Sequence, residues 1–280
     1  MNIQKTLIEG TRLLRLDRVD VPKLTARVLL AHALGRDQPW LIAHSNDQVD
    51  PGSREDFLEM VRARCSGVPT QYIRGTQEFY GIEFRVTSDV LIPRPETEHL
   101  VEAALARIRP QRTLVDIGTG SGAVAVAVAK HTARVAVFAT DISLPALRVA
   151  SGNARRASVD VHFCAGDLCE LFRATRFDMV VSNPPYVPRR DSVGLQRELH
   201  HEPALALYGG EDGLQVVRRI VAAAPRVLKQ GGWLLLEIGF GTRPALDRIL
   251  DSPEWDSAEF LPDLAGIDRV VAVRRSSRRT

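Results

Sequence analysis

Cysteine is scarce in this chain: three residues in 280, at Cys65, Cys164 and Cys169. The number is odd and no pair has C-x-x-C spacing, which argues against both a disulfide framework and a zinc site. No metal is expected, and the three thiols read as small hydrophobes. Long apolar runs are missing too, since none approaches the ~20 residues a membrane span needs. The opening segment MNIQKTLIEGTRLLRLDRVD carries Glu9, Asp17 and Asp20. These acids interrupt the apolar or arginine-rich stretch that a signal or transit peptide requires, so a cytoplasmic protein without a membrane partner is expected. An excess of one charge is also nearly absent. The net charge of +3 is too small to imply a stable nucleic-acid partner. The basic tail RRSSRR, Arg274 to Arg279, reads as a solvated chain end.

What is present is ordinary for a globular protein, with 45% hydrophobic and 25% charged residues. The length suits a main domain with a small accessory one. The first seventy or so residues read as helices: an apolar stripe through Ile3, Leu7 and Leu14, a segment from Pro22 to Gly35, and another from Pro51 to about Gly67. Proline in the first turn and glycine just past the last are the asymmetric signals of helix ends. At least three short helices in a small bundle are expected. EFYGIEFRV, Glu78 to Val86, then suggests two short strands about a turn. Pro93 and Pro95 stop that extended segment, and helical periodicity restarts from Glu96 to Leu105. From Thr113 onward, TLVDIG, VAVFATD, VHFCAG, FDMVVSN and WLLLEIG alternate with helical stretches. Strands apolar at nearly every position are buried on both faces, which predicts an α/β fold with a parallel sheet covered by helices.

Leu114 to Lys130, LVDIGTGSGAVAVAVAK, is a strand, a glycine-rich turn and a helix. Gly118, Gly120 and Gly122 allow a tight turn and the close approach of a nucleotide-like ligand. Asp141, at the end of the second strand, stands where a carboxylate accepts hydrogen bonds from both hydroxyls of a ribose. Gly118 to Ala123 also fits the dinucleotide pattern G-x-G-x-x-[GA]. Asp116 weighs against a nicotinamide cofactor, because a carboxylate there repels a pyrophosphate and attracts a cationic sulfonium with its amino group. Asp167, at the end of the third strand, reads either as an acceptor for an adenine amino group, with Leu168 on the ring, or as a helix N-cap.

FDMVVSNPPYVP, Phe177 to Pro188, carries the most information. A buried strand ends in Asn183-Pro184-Pro185-Tyr186, and two consecutive prolines make the loop rigid. An amide or aromatic amino nitrogen is hard to methylate because its lone pair is delocalised. The Asn183 oxygen and the Pro184 carbonyl can accept both N–H bonds of an –NH2 group, orient it and raise electron density on nitrogen. Tyr186 can stack on the planar group. His200 and His201 are adjacent and have no third ligand at metal spacing. Glu237, in LLLEIG, reads as a buried partner or cap rather than a general base.

With these residues in hand, the sequence closely resembles the PrmC/HemK family of protein-(glutamine) methyltransferases. The likeness is carried by PTQYIRGTQEFYG (Pro69 to Gly81), LIPRPETEHLVE (Leu91 to Glu102), DIGTGSGA, Asp141, NPPY, EPALAL followed by GGEDGL (Glu202 to Leu214), and DLAGIDRVV (Asp263 to Val271). The resemblance implies a seven-stranded class I methyltransferase domain over residues 93–280, behind a helical substrate-recognition domain over 1–75 and a hairpin linker over 76–92. It implies S-adenosyl-L-methionine as cofactor, with S-adenosyl-L-homocysteine as product, and the glutamine of the GGQ motif in class 1 peptide chain release factors as substrate. By position, Gly118, Thr119, Gly120, Ser121, Gly122, Asp141, Leu168 and Asn183 would contact the cofactor. Asn183, Pro184, Pro185 and Tyr186 would bind the glutamine and serve catalysis. Family members often have an aromatic residue where this chain has Leu168, so adenine stacking there would be weaker or differently made. A monomer is expected. The alternatives are a ribosomal-protein glutamine methyltransferase, which shares NPPY, and an enzyme acting on an exocyclic amine of nucleic acid. IPRPETE favours the release-factor branch. Enzymes that flip a base from duplex DNA usually carry a separate recognition domain, and the residues after Tyr186 are needed to finish the sheet.

Overall fold

The computed structural model of the protein describes residues 1–172, 175–194 and 196–277, so the end of the basic tail lies outside the described residues. The chain divides into two compact units, residues 1–76 with 196–201 and residues 77–195 with 202–280.

The first unit holds α1 (Ile3–Leu16), α2 (Pro22–Ala33), α3 (Gln38–Ala43), α4 (Pro51–Cys65) and α5 (Thr70–Arg74). Asn2 and Asp50 cap α1 and α4, their side chains accepting the backbone N–H of Lys5 and Ser53, and Pro22 and Pro51 open α2 and α4. The short helices α3 and α5 have too few turns to show an apolar period, and the sequence patterns do not reveal them. Ile3, Leu14, Leu29, Leu30, Leu41, Phe57 and Val61 form the core of the unit. The segment 196–201 carries the turn Arg197–His201 with the adjacent histidines. It is held by a Glu198–Arg64 ion pair and by Arg197 donating to the Cys65 carbonyl at 3.3 Å.

A two-stranded hairpin follows, β1 (Thr76–Phe79) and β2 (Ile82–Arg85). Tyr80 and Gly81 between them both have positive φ, as a tight two-residue hairpin turn requires. Asn153 ties β2 to the main domain. It accepts from the Arg85 N–H at 2.8 Å and donates to the carbonyls of Arg85 and Ser121.

The main sheet contains β3 (Thr113–Ile117), β4 (Ala136–Asp141), β5 (His162–Ala165), β6 (Phe177–Ser182), β7 (Leu228–Glu237), β8 (Glu259–Pro262) and β9 (Asp268–Arg274), in the order β5-β4-β3-β6-β7-β9-β8. Neighbours from β5 to β7 pair in parallel, and β9 runs antiparallel to β7 and β8. The predicted α/β class is therefore the observed one. The patterns pick out β3 to β7 but not β8 and β9. The edge strand β8 has four residues, ends in proline and is only half-buried, which is how an edge strand avoids looking like a core strand.

Helices α6 (Glu98–Arg107), α7 (Ala123–His131) and α8 (Leu144–Ala157) cover one face; α10 (Gln215–Val227) and α11 (Arg243–Leu250) cover the other, with the single turn α9 (Ala204–Leu207) before them. Within β3, Leu114 packs with the first set and Val115 with the second; Val181 and Val180 of β6 divide the same way. Two-sided burial is why these strands read as continuous apolar runs. Between β3 and β6 the winding of the chain reverses, and a crevice opens at their carboxyl ends. Among the described residues no helix is long and apolar enough to cross a membrane.

Gly10 on α1 faces the buried ring of Phe57 on α4, and a β-carbon at Gly10 would lie 2.3 Å from Phe57 Cζ. Gly10→Val should therefore overpack this core and cost about 1–3 kcal/mol, read as a lower urea midpoint. An unchanged midpoint would mean that the ring yields without strain.

Candidate active site

The glycine loop leaves β3 at Ile117 and enters α7 at Ala123. Gly118 and Gly120 have φ of +69° and +56°, and nothing lies within 4 Å of where their β-carbons would be. Their backbone is thus open to a ligand. Gly122 does different work: a β-carbon there would lie 3.1 Å from Ala150 Cβ, so its absence lets α7 close on α8.

Two acids organise the loop. Asp141, at the end of β4, accepts the Gly120 N–H through Oδ2 and the Ser143 N–H through Oδ1, each at 2.8 Å. Asp116 on β3 is buried, and its Oδ2 accepts the Thr119 hydroxyl at 2.6 Å. Burial pushes the Asp116 carboxyl up to about 7, against the Thr119 hydrogen bond, and the nearby charge of Asp141 pushes the same way.

The NPPY loop leaves β6 at Ser182, whose hydroxyl donates to the Ile117 carbonyl at 2.6 Å and so joins the two motifs. Asn183 donates from Nδ2 to Thr97 Oγ1 at 3.0 Å, and Thr97 is supplied by the PETE segment before α6. Glu237, at the end of β7, is buried and faces Thr97 and Asn183. Behind the prolines the backbone of Val187 pairs with Leu207 and Gly209, each N–H to carbonyl at 3.0 Å. A β-carbon on Gly209 would meet the Pro185 carbonyl at 2.3 Å, so glycine permits this brace. The Tyr186 ring lies against Gly239, and burial pushes its hydroxyl up to about 12.

Gly118, Thr119, Gly120, Ser121, Asp141, Leu168, Asn183, Pro184 and Pro185 line one cavity of about 260 Å³, together with Asp116. Gly122 and Tyr186 are not among its lining residues. Leu168 holds a positive φ of 50°, and its carbonyl accepts from Thr140 Oγ1 at 3.3 Å. Asp167 caps no helix, since residues 166–171 form a turn. Its carboxylate instead pairs with Arg219 of α10 at 2.6 Å, and both residues line the cavity. Arg219 is a cavity residue that no motif announces, while Thr97, Arg94 and Glu202 fall in LIPRPETEHLVE and EPALAL, segments quoted only for the resemblance. Glu202 is buried, accepts the Ile92 N–H at 3.1 Å and pairs with Arg94, which fastens the IPRP segment to EPALAL. Only the resemblance, by including both segments, could have drawn attention to that pair.

The cavity, sheet order and helical first unit can now be set beside known proteins. Residues 5–75 match the PrmC N-terminal domain and residues 95–210 the methyltransferase small domain. A release factor glutamine methyltransferase from Koribacter versatilis is 40% identical over 91% of this chain and 91% of its own length. One from Moorella thermoacetica is 40% identical over 98% and 99%. A methyltransferase structure from Pyrococcus furiosus superimposes with a TM-score of 0.54 at 18% identity, covering 71% of this chain and 91% of the other, and shares the fold. Identity of this level over nearly the full length of both chains means that the protein belongs to the PrmC/HemK family of release factor glutamine methyltransferases.

Proposed function

We propose that this protein methylates the side-chain amide nitrogen of the glutamine in the GGQ motif of class 1 peptide chain release factors. S-Adenosyl-L-methionine is the methyl donor and S-adenosyl-L-homocysteine the product. The observation that carries the reading is that Asn183 and Pro184 share one cavity with Gly118, Gly120 and Asp141. Family membership supports the target. The helical residues 1–75 then serve substrate recognition, 76–92 are a linker, and 93–280 carry the chemistry, in a cytoplasmic monomer with no stable nucleic-acid partner.

The residues fit the cofactor. The backbone over Gly118 and Gly120 is open, and among the described residues each Asp141 oxygen accepts one backbone N–H, leaving a lone pair for a ribose hydroxyl. Asp116 is a buried carboxyl without a cationic partner among the described residues, a suitable counter-charge for a ligand that brings its own positive charge. When bound, S-adenosylmethionine supplies an electrophilic methyl on a sulfonium. Asn183 Oδ1 and the Pro184 carbonyl hold the substrate –NH2 by its two N–H bonds, turning the nitrogen lone pair toward that methyl. The substrate nitrogen would accept that methyl, with the thioether of S-adenosyl-L-homocysteine as the leaving group. The alkylated nitrogen, now positively charged and acidic, releases its proton to solvent, so no strong base is required.

Labelled methyl should transfer to a purified class 1 release factor and not to its GGQ glutamine-to-alanine variant. Label in nucleic acid or a ribosomal protein instead would overturn the target. Asn183→Ala should lower kcat by about 10²-fold or more with the cofactor still bound; near-normal turnover would refute the loop's role. Cofactor affinity should fall with pH. As pH drops below about 7, Asp116 takes a proton and its attraction for the cation is lost, weakening binding by up to about tenfold per pH unit. Calorimetry at a series of pH values should show this slope in the parent and a flat profile in Asp116→Asn.

A further inference from the structure

We propose that Glu237, acting with Thr97, is the positioning residue that fixes the side-chain amide of Asn183 in the one orientation able to accept from the substrate nitrogen. The inference rests on the role given to Asn183 under Proposed function and extends it to Thr97, which lines the cavity, and to Glu237, which does not.

An asparagine amide has an oxygen on one side and an –NH2 on the other, and turning it by half a rotation exchanges them at little steric cost. In one orientation Asn183 accepts from a substrate –NH2. In the other it presents donors to donors, and the substrate is repelled. The loop therefore needs a group that distinguishes the two ends of the amide from behind. Thr97 touches Asn183, with Oγ1 accepting from Nδ2 at 3.0 Å. A hydroxyl cannot settle the matter alone, because it can donate to the oxygen of a reversed amide as readily as it accepts from the correct one.

A carboxylate only accepts. Glu237 is 2% exposed, stands at the carboxyl end of β7 and faces both Thr97 and Asn183. When ionised it takes the Thr97 O–H, which leaves the Thr97 lone pairs for the Asn183 N–H, and it favours the –NH2 end of Asn183 directly. Every donor behind the loop then points toward Glu237, and Oδ1 is left for the cavity. Reversing Asn183 would set its oxygen against a buried negative charge, the arrangement that buried polar groups tolerate least.

The groups facing Glu237 come from three other elements: Glu96 before α6, Tyr186 of the NPPY loop and Arg269 on β9. Burial raises Glu237 most, to about 7, and Glu96 adds to it; Thr97, Arg269 and Asn183 oppose. Tyr186 is pushed up to about 12 and stays neutral, while Arg269 is raised and stays charged. Among the described residues Glu237 Oε2 has no hydrogen-bond partner, so it can take a proton. Protonation removes the charge and makes the group able to donate, so the distinction between the two ends of Asn183 fades as pH falls below about 7.

The test is steady-state methylation of a class 1 release factor at saturating S-adenosylmethionine, from about pH 6 to 9, with cofactor affinity measured separately by calorimetry. In Glu237→Gln, kcat should fall by about 10- to 100-fold, as expected for a reacting group held in the wrong geometry, while the cofactor Kd changes by less than about threefold. The acid limb of kcat expected in the parent near pH 7 should be absent from this variant. Thr97→Val should lower kcat in the same way, and Thr97→Ser should restore it. Glu237→Gln with parental kcat and an intact acid limb overturns the proposal. So does a loss of kcat matched by an equal loss of cofactor affinity, because that marks a merely structural role. A parent protein that transfers no methyl to release factor refutes the proposed function instead, so the two failures are distinguishable.

Discussion

A parallel sheet buried on both faces has no room for polar side chains along its strands, and the arrangement of this protein follows from that constraint. From β3 to β7 most interior positions are apolar and split between two cores, with Thr140 and Asp116 buried near the strand ends. Polar groups appear where each strand leaves the sheet at its carboxyl end: Asp116 and Gly118 on β3, Asp141 on β4, Ser182 and Asn183 on β6, Glu237 on β7. The site is thus a row of strand ends, and the order of strands decides which meet. Because β3 lies between β4 and β6, the glycine loop has Asp141 on one side and the NPPY loop on the other. Ser182 bonded to the Ile117 carbonyl sets the step between them.

The electrostatics of the row follow from its depth. Asp116 and Glu237 lie deep enough that burial raises both to about 7, whereas Asp141 sits nearer the crevice and is held by two backbone N–H groups. On the proposed chemistry, a buried acid with no arginine paired to it among the described residues, as Asp116 is, suits a cationic cofactor. Arginine does enter the site, at the Asp167–Arg219 pair next to Leu168 in the chain. That guanidinium lines the cavity together with Leu168, and it offers a planar surface of its own.

Legibility in the sequence tracked distance along the chain. The glycine loop, Asp141 and NPPY are contiguous motifs whose residue types match their chemistry, and all three meet at one crevice. Contacts between distant segments left no local trace: Asn183 to Thr97 spans 86 residues, Arg219 to Asp167 spans 52, and Arg94 to Glu202 spans 108. Glu237 could be read as a buried partner because a lone acid stands in an apolar strand, but nothing nearby names what it is partnered with. Strand β9 was legible in principle, as VVAV is a buried run. Its antiparallel direction depends on the short edge strand β8, which carries almost no signal. The ambiguity at Asp167 was real at the sequence level, since the same residue type serves a cap, an acceptor and an ion pair, and only the position of α10 decides.

On the proposed chemistry, the two-acceptor geometry also bears on how many methyl groups are added. The substrate amide enters with two N–H bonds for the Asn183 oxygen and the Pro184 carbonyl. After one transfer a single N–H remains, and one of these acceptors faces a methyl group. A buried acceptor without a donor costs about 1–3 kcal/mol, which weakens the methylated product relative to substrate by roughly 5- to 150-fold. The same pairing that orients the first lone pair therefore works against a second attack and favours release. The rigidity of the loop matters here: with φ fixed by Pro184 and Pro185, and Val187 tied to Leu207 and Gly209, the acceptors cannot relax around the product. A flexible loop could rebuild both hydrogen bonds with water or backbone and would discriminate less.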